Sequence, residues 1–186
     1  MTSSKDILRR LEGGDRRSIG QSNQIAALVL KRSAFFGELI RALRAPDPLV
    51  RMRAADAAEK VSLERPDLLV PFKTELLRLL QEATQQELRW HLAQIVPRLP
   101  LTKRDRLRAF VVFQLYLQDR SSIVKTCAMQ ALADLASTDT ELLRPVLELL
   151  RKYTRDGTAA MRARGRKLLQ QLEAPSGAKA RVLFRR

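Results

Sequence analysis

The sequence predicts an all-α fold, a solenoid of about five helical hairpins, on three observations. Leu, Ala, Arg, Gln and Glu dominate the 186 residues, only 7 are Gly, and no stretch alternates apolar and polar residues as a strand does. Nearly one phrase, acidic-Leu-Leu-x-Pro, opens both "DLLVPFKTELLRLL" and "ELLRPVLELLRKY", with Pro71 and Pro145 74 residues apart. Half that spacing, about 37 residues, recurs through the chain, and a period of 20–50 residues is the mark of stacked repeats.

The period is clearest in the second helix of each unit. Val50, Leu88, Val124 and Met161 are equivalent, spaced by 38, 36 and 37 residues. Four residues on come Ala54, Leu92, Ala128 and Gly165; eight on, Ala58, Val96, Leu132 and Leu169; eleven on, Val61, Leu99, Leu135 and Leu172. Offsets of 0, 4, 8 and 11 fall within about 80° on a helix turning 100° per residue, so each unit ends in a helix with one apolar stripe.

The other elements follow in order. The first unit, approximately 4–32, joins "DILRRLEGG" to "SNQIAALVLKR" with Gly13-Gly14 at the turn, and its weak pattern suits a terminal repeat that packs on one side. The units at 33–65, 66–100, 101–137 and 138–174 each begin with a first helix: "FFGELIRALR", "LLVPFKTELLRLL", "RLRAFVVFQLYL" and "LLRPVLELLRKY". The short polar turns "APDP", "EATQQ", "QDRSS" and "RDGTAA" separate first from second helices. Pro97, late in the third unit's second helix, removes a backbone donor and predicts a kink or early end there. Residues 1–174 thus read as one repeat domain and 175–186, opening on Pro175, Ser176 and Gly177, as a flexible basic tail.

A two-helix unit with an acidic turn, then Val-Arg or similar, then small residues four and eight further on, resembles the HEAT repeat, over roughly residues 4–172. That resemblance implies a right-handed α-solenoid whose second helices line a concave groove. It also implies an aspartate in the turn serving the basic residue that follows: Asp47 with Arg51, Asp119 with Lys125, Asp156 with Arg162. The third unit departs, with no aspartate before Arg89 and Trp90-His91 after it.

Charge and composition bound the function. Thirty-five Lys and Arg against 20 Asp and Glu leave +15, a field that attracts anionic partners, although 26 of the 35 are Arg and a genome-wide preference for arginine gives the same number. "IAALVL" is far too short to cross a bilayer, the N-terminus has no apolar signal region, and the lone Cys127 fits a reducing compartment, so a cytoplasmic protein without membrane association is expected.

The candidate binding residues form two groups. Met52, Asp56, Arg89, Trp90, Gln94 and Gln130 are expected to face the groove: Trp90, about 165° from its helix's apolar stripe, is an aromatic anchor for a protein or a stacking platform for a base. The equivalent polar row of Asp56, Gln94, Gln130 and Lys167 supplies hydrogen bonds. Arg155, Arg162, Arg164, Arg166 and Lys167 gather around one turn and helix, where guanidinium forks suit carboxylates or phosphates; a merely solvated end cap is the plainer reading. The ladder of Arg51, Arg89, Lys125 and Arg162 is either structural or a row of phosphate contacts.

Catalysis has little to build on. His91, the one histidine, reads as a partly exposed helix residue, and with Cys127 alone it makes neither a zinc site nor a Cys-His dyad. No cofactor and no metal are expected. The leading reading is a non-catalytic scaffold for a protein partner with an acidic surface. Nucleic-acid binding by the basic face is the alternative. A HEAT-like DNA glycosylase for alkylated bases, with Asp56 and Trp90 in the working roles, is a more remote one.

Overall fold

The computed structural model describes residues 4–15 and 18–174, whose regular structure is helical, with no strand among them. The expected basic tail, 175–186, lies outside the described residues. Two compact units divide at Asp105/Arg106.

The first unit holds α1 (Ser4–Leu11), α2 (Ser22–Lys31), α3 (Phe36–Ala42), α4 (Pro48–Glu64), α5 (Lys73–Glu82) and α6 (Gln86–Ile95). Short 3-10 helices occupy Ser33–Phe35, Pro66–Phe72 and Val96–Arg98. Within it α4 lies against α2, α3 and α6, α1 touches α3 and α4, and α5 packs on α6. The helix α7 (Lys103–Tyr116) begins at the division. The second unit continues through α8 (Ser122–Thr138), α9 (Thr140–Asp156) and α10 (Ala159–Glu173), the last three packed pairwise on one another.

Prolines set several boundaries. Pro71 sits inside the 3-10 segment, so the long first helix expected over 68–80 is split, with α-geometry only from Lys73. Pro97 has the predicted effect, since α6 gives way to a 3-10 turn at Val96. Pro145 is accommodated inside α9.

The apolar stripe forms the core. Fifteen of its sixteen positions are buried, with Val61, Leu92, Val124 and Leu132 fully inside; Leu169 is half-buried. Turn chemistry repeats with the same period. Asp47, Gln85, Ser121 and Thr158 are the N-caps of α4, α6, α8 and α10, each three residues before the stripe's first member. The Asp47, Ser121 and Thr158 side chains accept from backbone N–H groups of Leu49, Val124 and Met161, satisfying donors that a helix start leaves open. Gln85 instead donates to the Pro48 carbonyl.

The first turn is organised by a buried arginine. Arg53 on α4 is only 2% exposed. Its Nη1 donates to the carbonyls of Leu11, Glu12 and Gly13, its Nη2 to Asp15 and its Nε to Ser18. The chain wraps the guanidinium by taking positive φ at Gly13, Gly14 and Gly20, and a Cβ at Gly20 would stand 2.8 Å from Arg53 Cζ.

Where α9 crosses α10, Gly165 replaces the Ala or Leu of the other units. A Cβ there would overlap the buried Thr154 hydroxyl and approach Met129 Cε at 3.1 Å. Gly→Ala within a helix ordinarily stabilises by up to about 1 kcal/mol. Here the sign reverses: Gly165→Ala should destabilise the second unit by about 1–3 kcal/mol, the usual cost of overpacking. Adding Thr154→Ala should recover most of the loss, as read from urea unfolding midpoints.

Candidate partner-binding surfaces

The basic ladder is built into the turns. Arg51 donates from Nη1 to the carbonyls of Ala45 (2.7 Å) and Pro46 (2.9 Å), and from Nε to Gln85 Oε1 (2.8 Å). Arg89 donates to the Ala83 carbonyl at 2.7 Å and Arg162 to that of Gly157 at 2.8 Å. Each guanidinium thus reaches back over its own turn and satisfies carbonyls where the preceding helix or turn ends. The carboxylate pairing expected for Arg51 and Arg162 is replaced by this carbonyl hook. Asp47 is occupied as an N-cap, and Asp156 pairs with Arg155 at 2.9 Å. Arg89, which lacks a turn aspartate in the sequence, makes the same hook.

The polar row expected to face a groove is largely bonded within the fold. In the first, Asp56 accepts from Ser22 Oγ and pairs with Lys60, whose Nζ also donates to Asn23 Oδ1 at 2.6 Å. Its carboxylate therefore ties α4 to α2. Gln94 bonds within its own helix to the Trp90 carbonyl at 3.3 Å. Met52 and Trp90 are half-buried, the Trp90 ring 5.7 Å from that of His91. In the second unit Gln130 donates to Asp134 at 2.8 Å and accepts from Arg164 Nη1 at 3.2 Å, joining α8 to α10.

The basic group on and before α10 is the most accessible of the expected sites. Arg155, Arg162, Arg164, Arg166 and Lys167 are all exposed. Arg155 is held by Asp156, whose hydrogen bond and charge raise the guanidinium's pKa further while lowering that of the carboxylate. Glu173, the one acid of α10, is taken by Arg151 at 2.7 Å. Arg166 and Lys167 have no acid within ion-pair distance among the described residues, leaving two adjacent solvated cations with Arg162 one turn before.

His91 is buried, not partly exposed: 8% of its surface reaches solvent and Nδ1 has no hydrogen-bond partner among the described residues. Sequence angle alone missed this, because α6 is covered on more than one side. No group of three or more His, Cys, Asp and Glu residues among those described is placed to hold a metal. No described helix is long and apolar enough to cross a membrane.

No family model matches the chain, and no curated protein matches it. Among solved structures it is similar to a crystal structure of an engineered protein from the Northeast Structural Genomics Consortium. Identity is 18%, over 91% of this chain and 78% of that one, with a TM-score of 0.60. A likeness at that identity is one of fold alone.

Burial pushes the His91 pKa from 6.5 down to about 4, against the pull of Asp56, Glu59 and Glu87 and with a smaller push from Lys60. Above pH 6.5 the imidazole is neutral both folded and unfolded, and it has no effect on stability. Between about 6.5 and 4 only the unfolded chain takes the proton, so stability falls as pH falls through that window, by on the order of 3 kcal/mol. His91→Met, which keeps the volume and removes the titration, should lose less stability than the parent between pH 7 and pH 4.5 in paired urea unfolding series.

Proposed function

We propose that the chain is a non-catalytic HEAT-like repeat module, a right-handed α-solenoid of about five hairpins working in the cytoplasm, that binds an acidic protein surface. Support for the repeat reading comes from features that recur at its period. The hooks of Arg51, Arg89 and Arg162 are equivalent, as are the four N-caps. The cross-links Ser22–Asp56, Arg51–Gln85, Gln130–Arg164 and Ser122–Thr158 join residues 34 to 36 apart.

The observation that carries the binding reading is the exposed pair Arg166 and Lys167 on α10, two cations without an acid partner among the described residues, one turn beyond the turn-bound Arg162. Carboxylates on a partner match them by charge-assisted hydrogen bonds, and their exposure favours steering and orientation over raw affinity. Phosphates would be held by the same groups, which keeps nucleic acid as the second reading. The glycosylase reading has less support, since the Asp56 carboxylate is engaged by Ser22 and Lys60.

Two experiments separate the readings. A photo-crosslinker at position 166, with position 78 as control, should give a discrete protein adduct in host extract that Lys167→Glu abolishes. Anisotropy of a labelled random-sequence duplex should show little binding at about 50 mM salt. Duplex affinity that instead falls about a hundredfold between about 50 and 200 mM salt, and falls again in Arg162→Glu and Arg166→Glu, would put nucleic acid in the partner's place.

A further inference from the structure

Surface helices of globular units bury their apolar residues on one face and show polar ones on the other. The helix α7 departs from this rule. Ala109, Val112, Phe113 and Tyr116 are buried, with the Phe113 and Tyr116 rings edge to face at 6.2 Å. Yet on the opposite side Leu107, Val111 and Leu115 are 46%, 55% and 67% exposed. Their spacing of four and four places them within 80° of one another, a continuous ridge two turns long. It accounts for three of the seven large apolar side chains exposed among the described residues. Scattered exposed leucines are ordinary, whereas an aligned row on one helix marks a contact surface.

The ridge lies between Asp105, which is paired with Lys73 at 3.0 Å, and Asp119. From Arg106 to Gln118 the sequence contains no acid. Arg108, beside Leu107, is exposed; Arg106 is half-buried and paired with Asp139 at 2.9 Å. Over 106–174 twelve basic residues face seven acidic ones, a net +5. A second copy of this chain, at +15, would bring like charge to like charge. A helix with an apolar stripe and acidic flanks matches both features: leucine-type anchors at i, i+4 and i+7 lie against the ridge while carboxylates meet Arg108 and the surrounding field.

We infer that Leu107, Val111 and Leu115 on α7 form a docking ridge for an acidic amphipathic helix of a partner protein. The surface is distinct from the cations of α10 and does not rest on their role.

The probe is a fluorescein-labelled 18-residue helix with Leu at i, i+4, i+7 and i+11 and Glu elsewhere. Its controls are a scrambled acidic peptide and a version with Lys for Glu. The acidic amphipathic peptide should bind at least about tenfold more tightly than either control, and Val111→Asp or Leu115→Asp should weaken it by about tenfold or more, as losing a central anchor does. Arg166→Glu should leave the affinity unchanged, which separates failure here from failure of the α10 surface. Because all three side chains are exposed, circular dichroism should show the variants folded. Equal binding of the scrambled peptide, or unchanged binding by Val111→Asp, overturns the assignment. So does self-association in sedimentation that Val111→Asp removes, which gives the ridge to a second copy. Binding to anionic phosphatidylserine vesicles that the same substitution removes, without peptide binding, gives it to a lipid surface.

Discussion

A helix covered on several sides has little room for large side chains, and that constraint shapes both units. In the first, α4 lies against α2, α3 and α6, and its inner positions Ala54, Ala55, Ala57 and Ala58 are fully buried. In the second, α8 does the same with Ala128, Ala131 and Ala133, and α10 goes further with Gly165. Small side chains let the axes approach, and the larger Val and Leu of the stripe then fill the space between. The rest of each unit, caps and ion pairs included, is arranged around this close approach.

Polar groups follow from the same geometry. Helices packed so tightly end in turns that are themselves partly covered, so their terminal carbonyls need donors. Arg51, Arg89 and Arg162, each just after a stripe's first member, supply them. An arginine suits this place because its fork spans two acceptors while the stem lies along apolar surface. Arg53 does likewise on a larger scale, replacing water around a whole turn. Its five carbonyl partners compensate a buried charge that would otherwise be costly.

Function then rests on what folding leaves unused. Most groups that suggest chemistry in the sequence are engaged internally: Asp56 with Ser22 and Lys60, Gln130 with Asp134 and Arg164, Arg89 with its turn. The remaining candidates are of two kinds, the cations of α10 and the apolar ridge of α7. The first acts at a distance and is screened by salt; the second acts only on contact.

The sequence by itself determined the helical class, the period and the core. Repeating apolar residues at 0, 4, 8 and 11 can be buried together only on a helix, and burial follows from that pattern without knowledge of neighbours. Gly13-Gly14 and Pro97 likewise act through local backbone geometry. Tertiary structure alone decided the partners of Arg53, the carbonyl acceptors of the ladder and the burial of His91. It also left Leu107, Val111 and Leu115 in solvent. "RLRAFVVFQLYL" is apolar around most of its circumference, so its periodicity does not say which side is covered. A helical wheel gives the angle between two side chains, but what stands at that angle belongs to another part of the chain.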